Sequence, residues 1–365
     1  MKFTILIFLV SPALLAMLVG CSNLGYYLDS VRGQMNVWQS AQPIVAVLES
    51  PQTQASVKLK LTTVLKIREF ASRELHLPDN RSYRDYADLK RPYVIWNVFA
   101  TAEFSIEPQE WCFAFAGCVN YRGYFSKEDA QQFAAGLRKQ GYDVYVGGVS
   151  AYSTLGWFND PVLNTFINYP DTELARLIFH ELAHQVTYVR DDSTFNESFA
   201  VTVEQEGMRR WLAQVGTAEQ RTAFAAAEHR KKGFITLIQK ARSDLEKTYV
   251  SLLSDAEKRT AKAHIFQGLQ QEYQQLKITW GGFSRFDQWF DQDLTNAHLA
   301  SVAIYTQLVP AFDKLLAENN DDLPRFYEAV KKLGGLPKDV RIARLHELQG
   351  DGLNVSGTYK KSLPP

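Results

Sequence analysis

The sequence predicts an α+β fold, with a small mixed β-sheet in the N-terminal half followed by a mainly helical half. Three observations carry this. Aromatic and β-branched runs of strand length cluster between about residues 93 and 158, helical periodicity is nearly unbroken over about 171–335, and strands do not alternate with helices as βαβ units require. The 365 residues include 22 Phe, 17 Tyr and 7 Trp, enough apolar surface for a folded chain with a sizeable core, read as a single domain over 21–350. Forty Lys and Arg balance forty Asp and Glu, so there is no excess positive field to draw in nucleic acid, and no nucleic-acid partner is expected.

Taken in order, the mature chain opens helically from Tyr26 to about Phe70, with a break at Pro43 and a turn at Pro51. His76-Leu77-Pro78-Asp79-Asn80 stops the helix. Tyr93–Ala100 reads as a strand and Tyr121–Phe125 as a second. Ser126 is placed to cap a helix that runs to Lys139 and ends at Gly141, and Tyr142–Val149 alternates as a strand. Tyr152–Phe158 reads either as an edge strand able to pair with an extended peptide or as a packed aromatic cluster turning at Gly156. Helices are expected at about 171–190, 194–214, 217–245, 255–277, 298–317 and 322–333, with a loose tail over 351–365.

The chemistry is concentrated in Phe179-His180-Glu181-Leu182-Ala183-His184-Gln185. Histidines four apart on a helical pattern project from one face, where two neutral imidazoles can hold one Zn²⁺. Glu181, between them, stands where the general base of a metallopeptidase belongs. The next helix begins Phe195-Asn196-Glu197-Ser198-Phe199-Ala200, and an acid in so apolar a stretch is costly to bury unless something compensates it. Coordination by Glu197 would do so and complete a His₂Glu zinc site. Glu204, two turns on, is placed to fix the tautomer of a ligand histidine, with Glu206 as a weaker alternative for either role. Asp191 and Asp192 read as solvent-facing or capping residues of the connecting turn. Tyr305 is the first candidate for a donor to the oxyanion, with His298 two turns before it; the competing reading makes Tyr305 a core aromatic.

At the N-terminus, Lys2 and the apolar run Phe3–Val19 have the layout of a secretory signal over residues 1–20. In an exported chain the close pair Cys112 and Cys118 suggests one disulfide, the alternative being two free buried thiols. The ending Leu18-Val19-Gly20-Cys21 resembles the bacterial lipoprotein processing site. That resemblance implies a lipid on Cys21, attachment to the membrane through it and, with Ser22 following, an outer-membrane address facing the periplasm.

His-Glu-Leu-Ala-His followed by Asn-Glu-Ser-Phe-Ala resembles the gluzincin metallopeptidases, in which the second motif supplies the third ligand. A zincin-like fold is implied, although the His184–Glu197 spacing is shorter than in the best-known members. The lipoprotein cysteine, the Trp111-Cys112 to Cys118 segment, Tyr121–Phe125, Ala151–Phe158 and the HELAHQ motif together resemble a Gram-negative lipoprotein family described as putative aminopeptidases. The resemblance implies hydrolysis of peptide or protein substrates. The Gly-x-Met-Glu-Asn signature that holds a free α-amino group in many gluzincin aminopeptidases is absent. A reading from another class makes the chain a non-catalytic, zinc-containing envelope lipoprotein that serves in binding or assembly, which a retained Glu181 disfavours.

Overall fold

The computed structural model describes residues 24–113 and 117–350; the signal segment, Cys21 and the 351–365 tail lie outside the described residues. Helix α1 (24–40) leads into strand β1 (Ala41–Pro43), α2 (Ile44–Glu49) and α3 (Ala55–Arg73). Pro43 is the last residue of β1 and the N-cap of α2, so the break read at this proline is a change from strand to helix. Strand β2 (Asp85–Ala87) pairs antiparallel with β1 and parallel with β8 (Val162–Leu163), and the mixed pairing of the fold resides here.

The larger sheet has β3 (Ile95–Thr101) at its centre. The hairpin β4 (Trp111–Phe113) and β5 (Gly117–Val119) follows, then β6 (Arg122–Tyr124), α4 (Lys127–Lys139) and β7 (Asp143–Val149). Both β6 and β7 run antiparallel to β3 on its two sides, so α4 is a crossover spanning the strand between them. The side chains of β3 divide with period two: Trp96, Val98 and Ala100 pack on Ala130, Ala134 and Leu137 of α4, and Phe99 packs on the opposite face against Ala297 and Ile304. Coverage of both faces explains why the strand reads as a continuous apolar run. Ser126 caps α4 by accepting a hydrogen bond from the Asp129 amide at 3.1 Å.

The helical half contains α5 (Asp171–Ala183), α6 (Ser193–Gln214), α7 (Ala218–Val250), α8 (Asp255–Thr279), α9 (Asp287–Phe290), α10 (Asn296–Ala303), α11 (Val309–Glu318), α12 (Leu323–Gly334) and α13 (Lys338–Gln349). The fold is α+β. Helix α6 is buried on almost every side, which marks it as the central element rather than a surface helix. The main core joins it to α3, α5, α11 and α12 through Phe70, Phe179, Phe199, Phe312 and Phe326. Helices α7 and α8 form a long hairpin with a second core around Phe234, Leu245, Phe266 and Tyr273.

Several boundaries differ from the sequence reading, each for a local reason. Helix α5 stops at Ala183 rather than near 190, because the following loop is held by side chain to backbone bonds: Asn196 accepts from Val189 N at 2.7 Å and donates to Val189 O at 2.8 Å. The helix expected over 298–317 is two helices. Pro310 sits in the first turn of α11, and the Leu308 amide donates to Ser198 Oγ instead of continuing α10. Tyr152–Phe158 forms no strand; it is a loop in which the Thr154 amide donates to Asp160 Oδ2 at 3.0 Å, with Trp157 and Phe158 exposed. Helix α13 was not anticipated. It carries Arg341, buried to 4% exposure, whose Nη2 and Nε donate to Asp192 Oδ2 at 2.8 and 3.0 Å.

Arg341→Met is expected to leave Asp192 buried without its partner and to cost about 3–5 kcal/mol. Thermal denaturation followed by circular dichroism should show a drop in Tm of several degrees; an unchanged Tm would mean that α13 does not secure the loop entering α6.

Candidate metal centre

The candidate site lies where α5 crosses α6. The two helices approach closely at Gly207, where an added Cβ would stand 2.8 Å from Phe179 Cδ2 and 2.8 Å from Leu75 Cδ1. On α5, His180 and the helix-terminating His184 share a face. His184 keeps helical backbone angles (φ −58°, ψ −22°), so the four-residue register survives although the helix ends there. The two rings are 4.9 Å apart and nearly perpendicular.

Glu197, in the first turns of α6, points its Oε2 between them, 3.2 Å from His180 Nε2 and 3.6 Å from His184 Nε2. All three ligand atoms lie within 4.8 Å of one another. Donors at about 2.0–2.1 Å from a tetrahedral ion stand about 3.3 Å apart, so two imidazole nitrogens and one carboxylate oxygen at these separations fit a small divalent metal. His184 and Glu197 are buried, and His184 Nδ1 is buried without a hydrogen-bond partner among the described residues.

His180 is held from behind. Its Nδ1 bonds Glu204 Oε2 at 2.8 Å, which leaves Nε2 to face Glu197. The other Glu204 oxygen is 3.3 Å from Lys231 Nζ and 3.8 Å from Arg176 Nη1, and Arg176 also bonds Glu173 at 2.7 Å. Burial opposes charge on Glu204, but Lys231 and the hydrogen bond to His180 overcome it and lower its carboxyl to about 2. Glu197 is likewise brought down to about 2 against its burial by the two histidines. Burial also opposes a charged His180, yet its bonds to Glu197 and Glu204 prevail and raise the ring to about 10.

Glu181 is only half-buried and lines, with His180, Glu204 and Tyr305, a cleft of ≈ 970 Å³. Burial raises its proton affinity, the neighbouring histidines lower it, and Glu197 and Glu204 raise it again, for a net upward shift. Tyr305 lies near His180, ring centroids 6.3 Å apart, and the Glu197 charge, then burial, push its hydroxyl well up. Three further tyrosines that the sequence does not single out feel the charges of the site. Tyr121 precedes β6, and burial and then Glu197 push its hydroxyl up. Tyr188 responds in the same order to burial and Glu197. Tyr83 is fully buried with a positive φ of 62° and a hydroxyl without a hydrogen-bond partner among the described residues, and Glu181 adds to the effect of burial on it. Tyr83 and Tyr121 come from segments whose approach to α5 depends on the tertiary fold, whereas Tyr188 lies in the loop after α5, four residues beyond His184.

Other residues considered from the sequence fall elsewhere. His298 is engaged in the fold: it caps α10, its Nδ1 accepting from the Thr295 amide at 3.1 Å, its ring packs on Tyr145 at 4.3 Å, and it does not line the cleft. Glu206 is taken up by Arg209 and Arg210, both at 2.6 Å. Asp192 caps α6 by accepting from the Phe195 amide, and Asp191 Oδ1 accepts from the Cys118 amide at 2.6 Å. Cys112 and Cys118 face each other across β4 and β5 and are joined by a disulfide. The hairpin therefore rests on the loop between the ligand helices. Gly117 (φ +76°) makes this approach possible, because a Cβ there would stand 2.4 Å from Asp191 Oδ1.

A family model described as putative aminopeptidase matches residues 25–345. No curated protein and no solved structure matches the chain.

Replacing Glu204 by Gln is expected to lower the affinity for added Zn²⁺ by about 10- to 100-fold, measured by competition with a chromophoric chelator. Metal-free protein should show a distinct pH dependence. His180, raised from 6.5 to about 10 on folding, contributes stability that is fully present below about pH 6.5 and lost as pH rises through about 10. Glu197 and Glu204, lowered from 4.5 to about 2, contribute stability present above about pH 4.5 and lost as pH falls through about 2. Tm of the metal-free protein should thus decline between pH 6.5 and 10, and a flat profile would contradict the placement of His180 between two carboxylates.

Proposed function

The chain belongs to the putative aminopeptidase family, and we propose that it is a zinc-dependent peptide hydrolase held at the bacterial envelope by a lipid on Cys21. The observation that carries the proposal is the convergence of His180, His184 and Glu197 on one point, with Glu181 beside them and open to a cleft. Two imidazoles and a carboxylate suit Zn²⁺, which when bound supplies Lewis-acid chemistry: activation of water near neutral pH and polarisation of a carbonyl.

The chain's own groups have separable tasks. Glu204 fixes His180 so that Nε2 faces the metal position, and Arg176 and Lys231 keep Glu204 ionised in its buried place. Glu181 takes a proton from the attacking water and returns it to the leaving amine; its raised proton affinity brings it closer to the working pH than an ordinary carboxylate. Tyr305 remains protonated beside the Glu197 charge, so its hydroxyl is a donor for the negative oxygen that develops on the substrate. Tyr121 has the same surroundings and can share that role. The cleft is large enough to receive several residues of a peptide.

The test is cleavage of a peptide library by purified protein, with products identified by mass spectrometry. A chelator should abolish cleavage and added Zn²⁺ should restore it. Glu181→Gln should reduce kcat by about 10²–10⁴ with the zinc content unchanged, and Tyr305→Phe by about 10²–10³. Full activity of Glu181→Gln would refute the hydrolytic mechanism, and zinc binding with no cleavage of any library member would favour a non-catalytic role.

A further inference from the structure

Over residues 24–35, helix α1 is secured to the body along one side. Tyr26 packs its ring on Arg122 (4.0 Å to the guanidinium carbon) and Tyr124, Gln34 bonds the Tyr152 hydroxyl, and Val37 is buried in the main core. At 100° per residue, Tyr26, Ser30, Gly33 and Val37 define this packed side. Over residues 24–35 the opposite side is apolar and exposed: Leu24, Tyr27, Leu28, Val31 and Met35 are exposed, Leu28 to 49% and Val31 to 56%, and the stripe ends at Trp38, which packs on Phe158 at 4.3 Å. These five fall within an arc of about 100°, and the two charged residues of the helix, Asp29 and Arg32, lie outside it. Large apolar side chains scattered singly need no partner, but a continuous stripe facing away from the core does.

We infer that this stripe is a membrane-contact surface, with α1 lying in the plane of a bilayer and its Leu24–Met35 side immersed at the boundary between headgroups and acyl chains. The position of the helix in the chain selects this occupant over others. Leu24 is only three residues after Cys21, about 10 Å of extended chain at most, so a lipid there would keep the stripe at the bilayer surface. Among the described residues no helix is long and apolar enough to cross a membrane; the one-sided apolar stripe is what suits α1 to lying in the interface plane. With one acidic and one basic residue, the helix has little attraction for anionic headgroups; apolar burial and the tether's high local concentration supply the binding. For that tether the inference rests on the proposed anchor at Cys21.

The full chain, purified in detergent and reconstituted into phosphatidylethanolamine–phosphatidylglycerol vesicles, tests this with nitroxide labels on Leu28→Cys, Val31→Cys and, as the water-facing control, Asn36→Cys. Relaxation by oxygen and by a water-soluble nickel chelate gives the depth of each label. The labels at 28 and 31 are expected about 5–10 Å into the headgroup–acyl boundary, with the label at 36 in water. Equal nickel accessibility at all three positions overturns the inference, as does immobilisation of the 28 and 31 labels before vesicles are added, since another copy or segment would then cover the stripe. Mass spectrometry of the N-terminal peptide reports acylation of Cys21 separately. If no acyl chain is found the anchoring proposal fails, while entry of the 28 label on adding vesicles still supports the helix as a contact surface and its remaining in water overturns it.

Discussion

Carboxylates are expensive to bury, and α6 buries three of them: Glu197, Glu204 and Glu206. The arrangement around this helix can be understood as the compensation of those charges. Glu206 is met by two arginines of its own helix, a purely structural solution. Glu204 is met by Lys231 of α7, Arg176 of α5 and the ring of His180. Glu197 has no lysine or arginine against it among the described residues; its close partners are the two imidazoles. Because a neutral imidazole offers it no net positive charge, its environment is completed by a proton or by a cation, and the same constraint that shapes the packing creates a position that could hold a metal.

The sheet and the long hairpin contribute by enclosing this point. The segment before β6 brings Tyr121 to the ligands, and α10 with its C-terminal extension brings Tyr305. Helix α7 supplies Lys231 and one wall of the cleft, so the two helices of the candidate centre depend on a third for their electrostatic balance. The disulfide-closed hairpin β4–β5 presses on the connection between the ligand helices through Asp191, which couples the β part of the fold to the loop that sets the α5–α6 geometry.

What the sequence disclosed and what it withheld follow from the distance over which each feature is determined. The histidine pair is legible because four residues on a helix fix a common face, and Glu197 and Glu204 are legible because acids seven apart in an apolar stretch need a reason to be there. The end of α5 and the break after α10 were misjudged because both are set by individual side chain to backbone bonds, from Asn196 and Ser198, which leave no periodic trace. Tyr83, Tyr121 and Lys231 approach the site through tertiary packing alone, and an aromatic in a loop or a lysine on a long helix looks the same whether or not it faces a site; Tyr188 repeats the four-residue step from His184 but lies in the loop after α5. The Tyr152–Phe158 segment had strand-like composition, but the buried Asp160 carboxylate gathers it into a loop.

The three side chains that could hold a metal, and the carboxylate that orients the first of them, fall within residues 180–204, in a single helix–loop–helix. Such a set has low contact order, and closing its short connection costs little chain entropy. A metal ion could therefore be captured while the β-strands and outer helices are still undocked, and would then act as a cross-link that lowers the entropy of the remaining search. Metal supply would then bear on folding yield as well as on chemistry.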